Sequence, residues 1–277
     1  MLVDKDALLH HYTVERELAE RLRKAPAAQR VTLYTEVYDE LMRRVPQHPQ
    51  LLARAAPGWR ERREQSVEMQ LAMLERFITP HSVFLEVGAG DCALSRRIAP
   101  RVKRVHAVDV TDSVAGKEPF PLNMTLALSL DGIRMPVPDG AIDVAFSNQL
   151  MEHLHPEDAE DQLRAIFRSL APGGMYFCIT PNRFYGPCDV SQYFDEVATG
   201  LHLREYGARE LRALLLDAGF SRVRFYAGGR GRMAPVPYAA VAAFESLLES
   251  LPSRLRRRIA GSAPARALLG LRMAAVK

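Results

Sequence analysis

The ten residues Val83-Phe84-Leu85-Glu86-Val87-Gly88-Ala89-Gly90-Asp91-Cys92 constrain this chain more than any other stretch. Val83, Phe84, Leu85 and Val87 are β-branched, aromatic or bulky, in a run as short as that of a strand buried on both faces. Gly88 and Gly90 let the backbone turn tightly and let a ligand approach it closely. Asp91 is placed to cap a helix over Ala93–Ala99. A buried strand, a glycine turn and a helix form the opening unit of a doubly wound sheet. Glu86 falls at the carboxyl end of the strand, where such sheets bind their ligands.

A dinucleotide-binding fingerprint needs a third small residue where this chain has Cys92. The next strand, Val105-His106-Ala107-Val108-Asp109, closes on a second acid, at a distance from Gly90 that suits a carboxylate accepting from ribose hydroxyls. Two solvated strand-end acids are the bland alternative. Acid-x-Gly-x-Gly followed by an acid at the next strand end resembles the class I S-adenosylmethionine (SAM)-dependent methyltransferases. The stretch Ser129 to Val144, with Asp131-Gly132, Pro136 and Asp139-Gly140-Ala141-Ile142-Asp143, resembles the small-molecule branch of that family. Pro172-Gly173-Gly174, read as the end of a helix and the lead into a strand over Met175–Thr180, is a further mark of likeness.

The resemblance implies an α/β fold: a doubly wound, seven-stranded, mostly parallel Rossmann-like sheet. Its last strand, at 271–276, is antiparallel and inserted between the fifth and sixth. It implies SAM as cofactor, with Glu86, Gly88, Gly90, Asp109, Asp131, Gly132 and Asn148 as its binding residues. Asp109 is assigned to ribose, and Asp131 with the Gly132 amide to adenine, whose edge offers a donor beside an acceptor. The loop after the fourth strand, Asn148 to Pro156, is placed beside the methyl acceptor. His153 is the candidate general base there, because an ordinary imidazole titrates near neutrality. Helix-start and pocket-shaping roles are the alternatives. The same loop resembles that of ubiquinone-pathway O-methyltransferases, some of which bind a divalent metal. Gln149 stands where one of their acids would be, so no metal is expected.

Helical spacing predicts helices over 4–24, from Pro26 to Val45, and from Trp59 to Ile78, with a break at Pro46-Gln47-His48-Pro49. A helical region over 1–80 therefore precedes a SAM-binding domain over 81–277. It packs on the sheet's flank or caps the crevice, presenting Tyr34, Tyr38 or His48. A breaker-rich insertion at 181–205 lies at the ligand end of the sheet, and long connections there commonly bind ligands. Tyr34, Tyr38, Tyr185, Tyr193, His202 and Arg204 are the candidate acceptor-binding residues. The phrase His202-Leu203-Arg204-Glu205-Tyr206 resembles one in methyltransferases of bacterial glycans and secondary metabolites.

Composition narrows the partners. The chain has 277 residues, a formal charge of +4 and only three cysteines, at 92, 178 and 188, with no metal-ligand spacing. A disulfide framework is not expected. No apolar run reaches membrane-spanning length. The first residues show no signal-peptide pattern, so a cytoplasmic location is expected. The arginines at 254, 256, 257 and 258 read as a solvated helix face rather than a nucleic-acid or lipid patch. No nucleic-acid partner is expected, and an RNA substrate is the weaker reading because no aromatic–basic module is visible. The function expected is methyl transfer from SAM to a small molecule, at a hydroxyl of a glycan-related or secondary metabolite. The alternatives are a nicotinamide-dependent oxidoreductase and a catalytically silent SAM-binding protein.

Overall fold

The structure, a computed structural model, describes residues 5–277 other than 113, 114, 116, 117 and 230, together with all but the side chain of Gln50. Part of the stretch after Asp109, where the sequence is compatible with a loop or a weak helix, lies outside the described residues, as do residues 1–4.

Eight strands form one sheet in the order β3-β2-β1-β4-β5-β8-β6-β7. They are β1 (Val83–Val87), β2 (Arg104–Asp109), β3 (Met124–Leu128), β4 (Ile142–Asn148), β5 (Leu170–Thr180), β6 (Arg222–Gly229), β7 (Arg232–Val236) and β8 (Leu271–Val276). The strands β1 to β5 pair in parallel. The closing strand β8 runs antiparallel between β5 and β6, as the resemblance implied. Order reverses between β1 and β4, the switch point at which doubly wound sheets open a ligand crevice.

Two expectations are corrected. The sheet has eight strands rather than seven, because β6 continues to Gly229 and turns back as β7, its antiparallel edge partner. At Gly228 an added Cβ would lie 2.1 Å from the Arg232 carbonyl oxygen, so the close crossing of this hairpin requires glycine. Pro172-Gly173-Gly174 does not end a helix. The helix α6 (Pro156–Ser169) has already stopped, and β5 begins at Leu170. Leu170 pairs with Ile142, the register then shifts, and Met175 pairs with Val144. The glycines carry that irregularity: a Cβ at Gly174 would sit 2.9 Å from two carbonyl oxygens.

Alternation along the strands feeds two cores. Leu85, Val87, Val108, Ala145, Tyr176 and Met273 belong to one face. Phe84, Val105, Ala107, Val144, Phe146, Phe177 and Ala274 belong to the other. Side chains alternate across a strand, so a sheet covered on both faces uses both sets. The N-terminal helices divide between the faces. The helices α1 (Lys5–Lys24) and α2 (Ala27–Arg44) put Val14, Leu18, Leu22, Val37 and Leu41 into the first core. A short α3 (Pro49–Ala55) follows the proline break, and α4 (Trp59–Leu74) puts Val67, Leu71 and Leu74 into the second. Behind β1 the helix α5 (Ala93–Ile98) packs beside α4. The remaining helices are α7 (Ala208–Asp217), α8 (Tyr238–Glu249), α9 (Ser253–Ala260) and α10 (Ala263–Leu269). A third, smaller cluster forms around Phe184, Leu248 and Leu269.

One buried ion pair fixes α2 to α6. Arg30 donates to both carboxylate oxygens of Asp158, at 2.6 and 2.7 Å, and their side chains are each 3% exposed. The Tyr34 hydroxyl donates to the same carboxylate at 2.6 Å and accepts the His155 amide at 2.9 Å.

Candidate functional site

A cavity of about 440 Å³ opens at the carboxyl ends of β1 and β2. Its floor is Val87, Gly88, Val108 and Asp109; its walls come from Val110, Thr111, Ser129, Gly132, Met135, Leu150, His153, Leu154 and Gln162; its roof is Tyr34, Thr35, Tyr38, Asp39 and Met42 of α2 with Leu51 and Arg54 of α3. The sequence anticipated the floor. It did not anticipate Leu150, Met135 and Gln162, which no local pattern marks.

The glycine turn is shaped as the sequence required. Gly88 and Gly90 have φ of 75° and 53°, a region that favours glycine. A Cβ at Gly88 would press on Leu150 at 3.1 Å, whereas one at Gly90 would meet nothing within 4 Å. The Gly90 backbone therefore borders open space. Cys92, standing where a third glycine would be, also has a positive φ, of 58°. It occupies the N-cap position of α5, while Asp91 accepts the Ala93 amide at 3.1 Å.

Asp109 lines the cavity and is held by main chain: Oδ2 accepts from Gly90 at 2.7 Å, and Oδ1 from Val110 at 2.7 Å and Thr111 at 3.3 Å. A carboxylate offers about four acceptor sites, so capacity for a hydroxyl remains. Glu86 lies behind the turn rather than in the cavity lining. Its Oε2 accepts from Ser95 Oγ at 2.5 Å, and burial pushes its carboxyl up to about 7. Arg63 of α4 closes over this region, gripping both oxygens of Asp91 at 2.7 and 2.5 Å.

Asp131 and Gly132 do not present themselves as the resemblance implied. Asp131 Oδ1 accepts from Ser129 Oγ, the Ile133 amide and the Arg134 amide, at 3.1, 2.9 and 2.9 Å. Burial acts to raise its carboxyl, but these donors hold it below the usual carboxylate range. The Gly132 amide donates to the Ser129 carbonyl at 2.9 Å. Asp131 thus knits its own turn, and it is Gly132, packed near Val110, Leu154 and Tyr34, that reaches the cavity wall. Asn148 ends β4, half-buried and outside the lining.

His153 sits in a short 3₁₀ turn, Met151–His153, with its ring beside Tyr38 and His202, at centroid distances of 6.1 and 4.8 Å. Its Nδ1 is 3.0 Å from the Leu201 carbonyl oxygen. A carbonyl only accepts, so Nδ1 carries the proton and the neutral ring leaves Nε2 with a lone pair. The sequence expected a ring titrating near neutrality. Burial first, and then the neighbouring His202, pull His153 down to about 3. Glu152 beneath it is fully buried; Oε2 accepts from Thr180 at 2.7 Å, while Oε1 has no partner. Burial pushes this carboxyl up to about 7. Glu152, His153 and His202 bring one donor atom each to within 4.8 Å of one another, a set that could hold a cation. His202 comes from the insertion, which spacing within the loop could not reveal.

The other acceptor-side candidates divide. Tyr34 and Tyr38 line the cavity. The Tyr34 hydroxyl is committed to Asp158 and His155, so its ring is what faces the cavity. His202 is buried and its Nδ1 is 2.7 Å from Glu205. Burial opposes its charge, but Glu205, Glu152 and Asp189 more than offset this and hold the imidazole above its ordinary value. His202 lies behind His153 rather than in the lining, and the other three candidates stand away from the cavity as well. Tyr185 packs under the Arg266 guanidinium, Tyr193 is 60% exposed, and Arg204 is paired with Glu210.

What the sequence missed is how α1 holds the insertion. Arg23 donates to the carbonyls of Thr199, Gly200 and His202. Tyr12 donates to Asp195 at 2.8 Å and stacks on Phe194. Glu15 accepts the Leu201 amide at 3.0 Å, on the peptide unit next to the carbonyl that orients His153. A signal existed: Glu15 interrupts the helical stripe of Tyr12, Leu18 and Leu22, a charge where a buried residue is due.

The profile of a methyltransferase-domain family matches residues 85–178. A Mycobacterium tuberculosis protein named as an S-adenosylmethionine-dependent methyltransferase is 32% identical over 138 residues, 49% of this chain and 47% of that protein. Phosphoethanolamine N-methyltransferase 1 of Triticum aestivum is 30% identical over 99 residues, 34% of this chain and 20% of that protein. The chain spans about half the length, or less, of the curated relatives it matches. Among solved structures, a chain in the complex of the Haloferax volcanii Trm112 methyltransferase activator shares the fold, with a TM-score of 0.51 and 16% identity over 77% of this chain and 90% of that one.

Proposed function

We propose that this chain, which carries a class I SAM-dependent methyltransferase domain, transfers a methyl group to the hydroxyl of a small glycan-related or secondary metabolite in the cytoplasm. The observation that carries the reading is the cavity at the switch point of the sheet. Gly88 of the glycine turn and Asp109 form one side of it, and a roof of Tyr34, Tyr38, Met42 and Leu51 with the charged Asp39 and Arg54 forms the other. When bound, SAM supplies an electrophilic methyl, so the protein's work is positioning.

The residues present fit that cofactor. Asp109 retains acceptor capacity for a ribose hydroxyl, and Gly88 brings bare backbone to the cavity for the amino-acid part, with Gly90 outside the lining. Val110, Met135 and Leu154 offer apolar surface to a flat base. Glu86 acts from behind by holding Ser95, and Asp131 by shaping the turn that carries Gly132. His153 is a weak proton acceptor in this setting. Its Nε2 lone pair orients a hydroxyl by accepting its hydrogen bond, and Tyr38 stands beside it. The wheat relative is named for an N-acceptor. The uncharged His153 and Tyr38 support a hydroxyl acceptor, and Asp39 in the same lining is the group a cationic amine would seek instead.

Calorimetry with SAM and with NAD separates this reading from an oxidoreductase: SAM is expected to bind with a micromolar dissociation constant and NAD not to bind. Methyl transfer to a panel of hydroxylated metabolites then separates an enzyme from a silent binder. Binding of NAD in preference to SAM would overturn the assignment.

A further inference from the structure

Outside the cavity, α1 and the turn after α2 bury three ligand-type side chains together. His11 and Glu15 stand one helical turn apart on the same face of α1, and His48 lies within the proline break between α2 and α3. They are 6%, 5% and 7% exposed. His11 Nε2 is 2.8 Å from Glu15 Oε2, and the two imidazole rings meet edge to face at 4.7 Å. One donor atom from each of the three lies within 4.8 Å of the others.

Burial acts to raise the Glu15 carboxyl, but His11, the Leu201 amide and His48 together hold it below the usual carboxylate range, so the cluster keeps an ionised ligand beside two imidazoles. A buried carboxylate requires compensation. Among the described residues no lysine or arginine forms an ion pair with Glu15; its ion-pair partner is His11. Its other oxygen takes the Leu201 amide at 3.0 Å. Space is kept for this reach by Gly200, where a Cβ would lie 2.4 Å from Glu15 Oε1. Two imidazoles and one carboxylate are the donor set of borderline divalent metals such as zinc, not of magnesium or calcium, which take oxygen ligands.

We propose that His11, Glu15 and His48 bind one zinc-class divalent cation that ties α1 and the α2–α3 turn to the insertion. Tetrahedral donors with bonds of about 2.0–2.2 Å lie roughly 3.3–3.5 Å apart, so side-chain adjustment of about 1 Å closes the site. Coordination replaces the hydrogen bond between His11 and Glu15, and a water completes the shell. Glu15 keeps Leu201, whose carbonyl orients His153, so the cation fixes the insertion from outside the cavity. The site is separate from the set of Glu152, His153 and His202, of which His153 lines the cavity.

The test uses the full chain without a polyhistidine tag, stripped with chelator and titrated with zinc against a chromophoric chelator. Cobalt serves as a spectroscopic stand-in, and thermal unfolding is followed with and without zinc. One equivalent of zinc is expected, with a rise in Tm of several degrees and the visible absorption of tetrahedral cobalt. His48→Gln and His11→Asn are each expected to weaken zinc at least tenfold and to abolish the Tm rise. His10→Gln, on the same helix, and His202→Gln are expected to change neither. Circular dichroism of each metal-free variant checks folding, and either of the two ligand variants suffices. Less than a tenth of an equivalent bound by the parent chain overturns the proposal. So does binding that survives both ligand substitutions, or binding lost in His202→Gln.

Discussion

The two sides of the cavity are built by different means. The floor is local: a five-residue strand, a glycine turn and an acid at the next strand end, held by main-chain bonds such as Gly90 to Asp109 at 2.7 Å. The roof is long-range. Residues of α2 in the roof, and of α1 packed against α2, reach Asp158, Asp195 and Leu201 across separations of 124 to 186 positions. The floor can therefore be damaged one interaction at a time. The roof depends on a few side chains that each join distant segments.

The strongest way to test that contrast is at the buried junction of α2 and α6. Arg30→Ala leaves Asp158 buried and uncompensated, and is expected to cost about 3–5 kcal/mol in urea unfolding. Replacing both partners together, as Arg30→Met with Asp158→Leu, is expected to recover most of that loss. If Arg30→Ala costs under 1 kcal/mol, the roof does not hang on this pair.

On the floor, Asp109→Asn is expected to weaken SAM at least 100-fold, or about 2.7 kcal/mol, in calorimetry, with a smaller change in unfolding stability. Equal effects of Arg30→Ala and Asp109→Asn on SAM affinity would erase the distinction between the two sides.

Arg23→Met cuts three hydrogen bonds to the insertion backbone. It is expected to raise the KM of the acceptor about tenfold, roughly one net hydrogen bond's worth of free energy, while leaving the SAM dissociation constant within twofold. A shift in SAM binding instead would show that insertion and floor are coupled.

Glu86 gives the floor a pH signature. Burial raises its folded-state pKa to about 7, above its unfolded value of 4.5. Between those values the unfolded chain releases the proton and the folded one keeps it. The group's contribution is fully present below about 4.5 and is lost as pH rises through about 7. Glu86→Gln is expected to remove that decline from the stability profile of the ligand-free protein between pH 5 and 7.5. An unchanged profile would place Glu86 in contact with water.

The smallest effect is expected at Tyr38→Phe: a two- to fivefold rise in acceptor KM by initial-rate measurement, with SAM affinity unchanged, as for one hydroxyl hydrogen bond. No change with any accepted substrate would leave Tyr38 as packing.

Legibility in the sequence follows the same division. The strand β1 and the positive φ of Gly88 and Gly90 follow from patterns a few residues long, whereas the place of β8 came from the family resemblance. The edge strand β7 was missed because an edge needs only one partner and little apolar content. Asp131 was recognised as an acid in the right loop, but its three donors lie on its own turn and decide where it points. Tyr185, Tyr193 and Arg204 sit in the insertion as expected, yet they face Arg266, solvent and Glu210.

The sequence by itself determined the buried strand β1, the glycine turn and the carboxylate at the end of β2, because alternation, backbone freedom and strand-end position are properties of neighbouring residues. Tertiary structure alone decided that His153 is desolvated between Tyr38 and His202, that Tyr34 spends its hydroxyl on Asp158, and that α1 grips the insertion. Burial and long-range hydrogen bonds set those outcomes, and both depend on which distant segments the fold brings together.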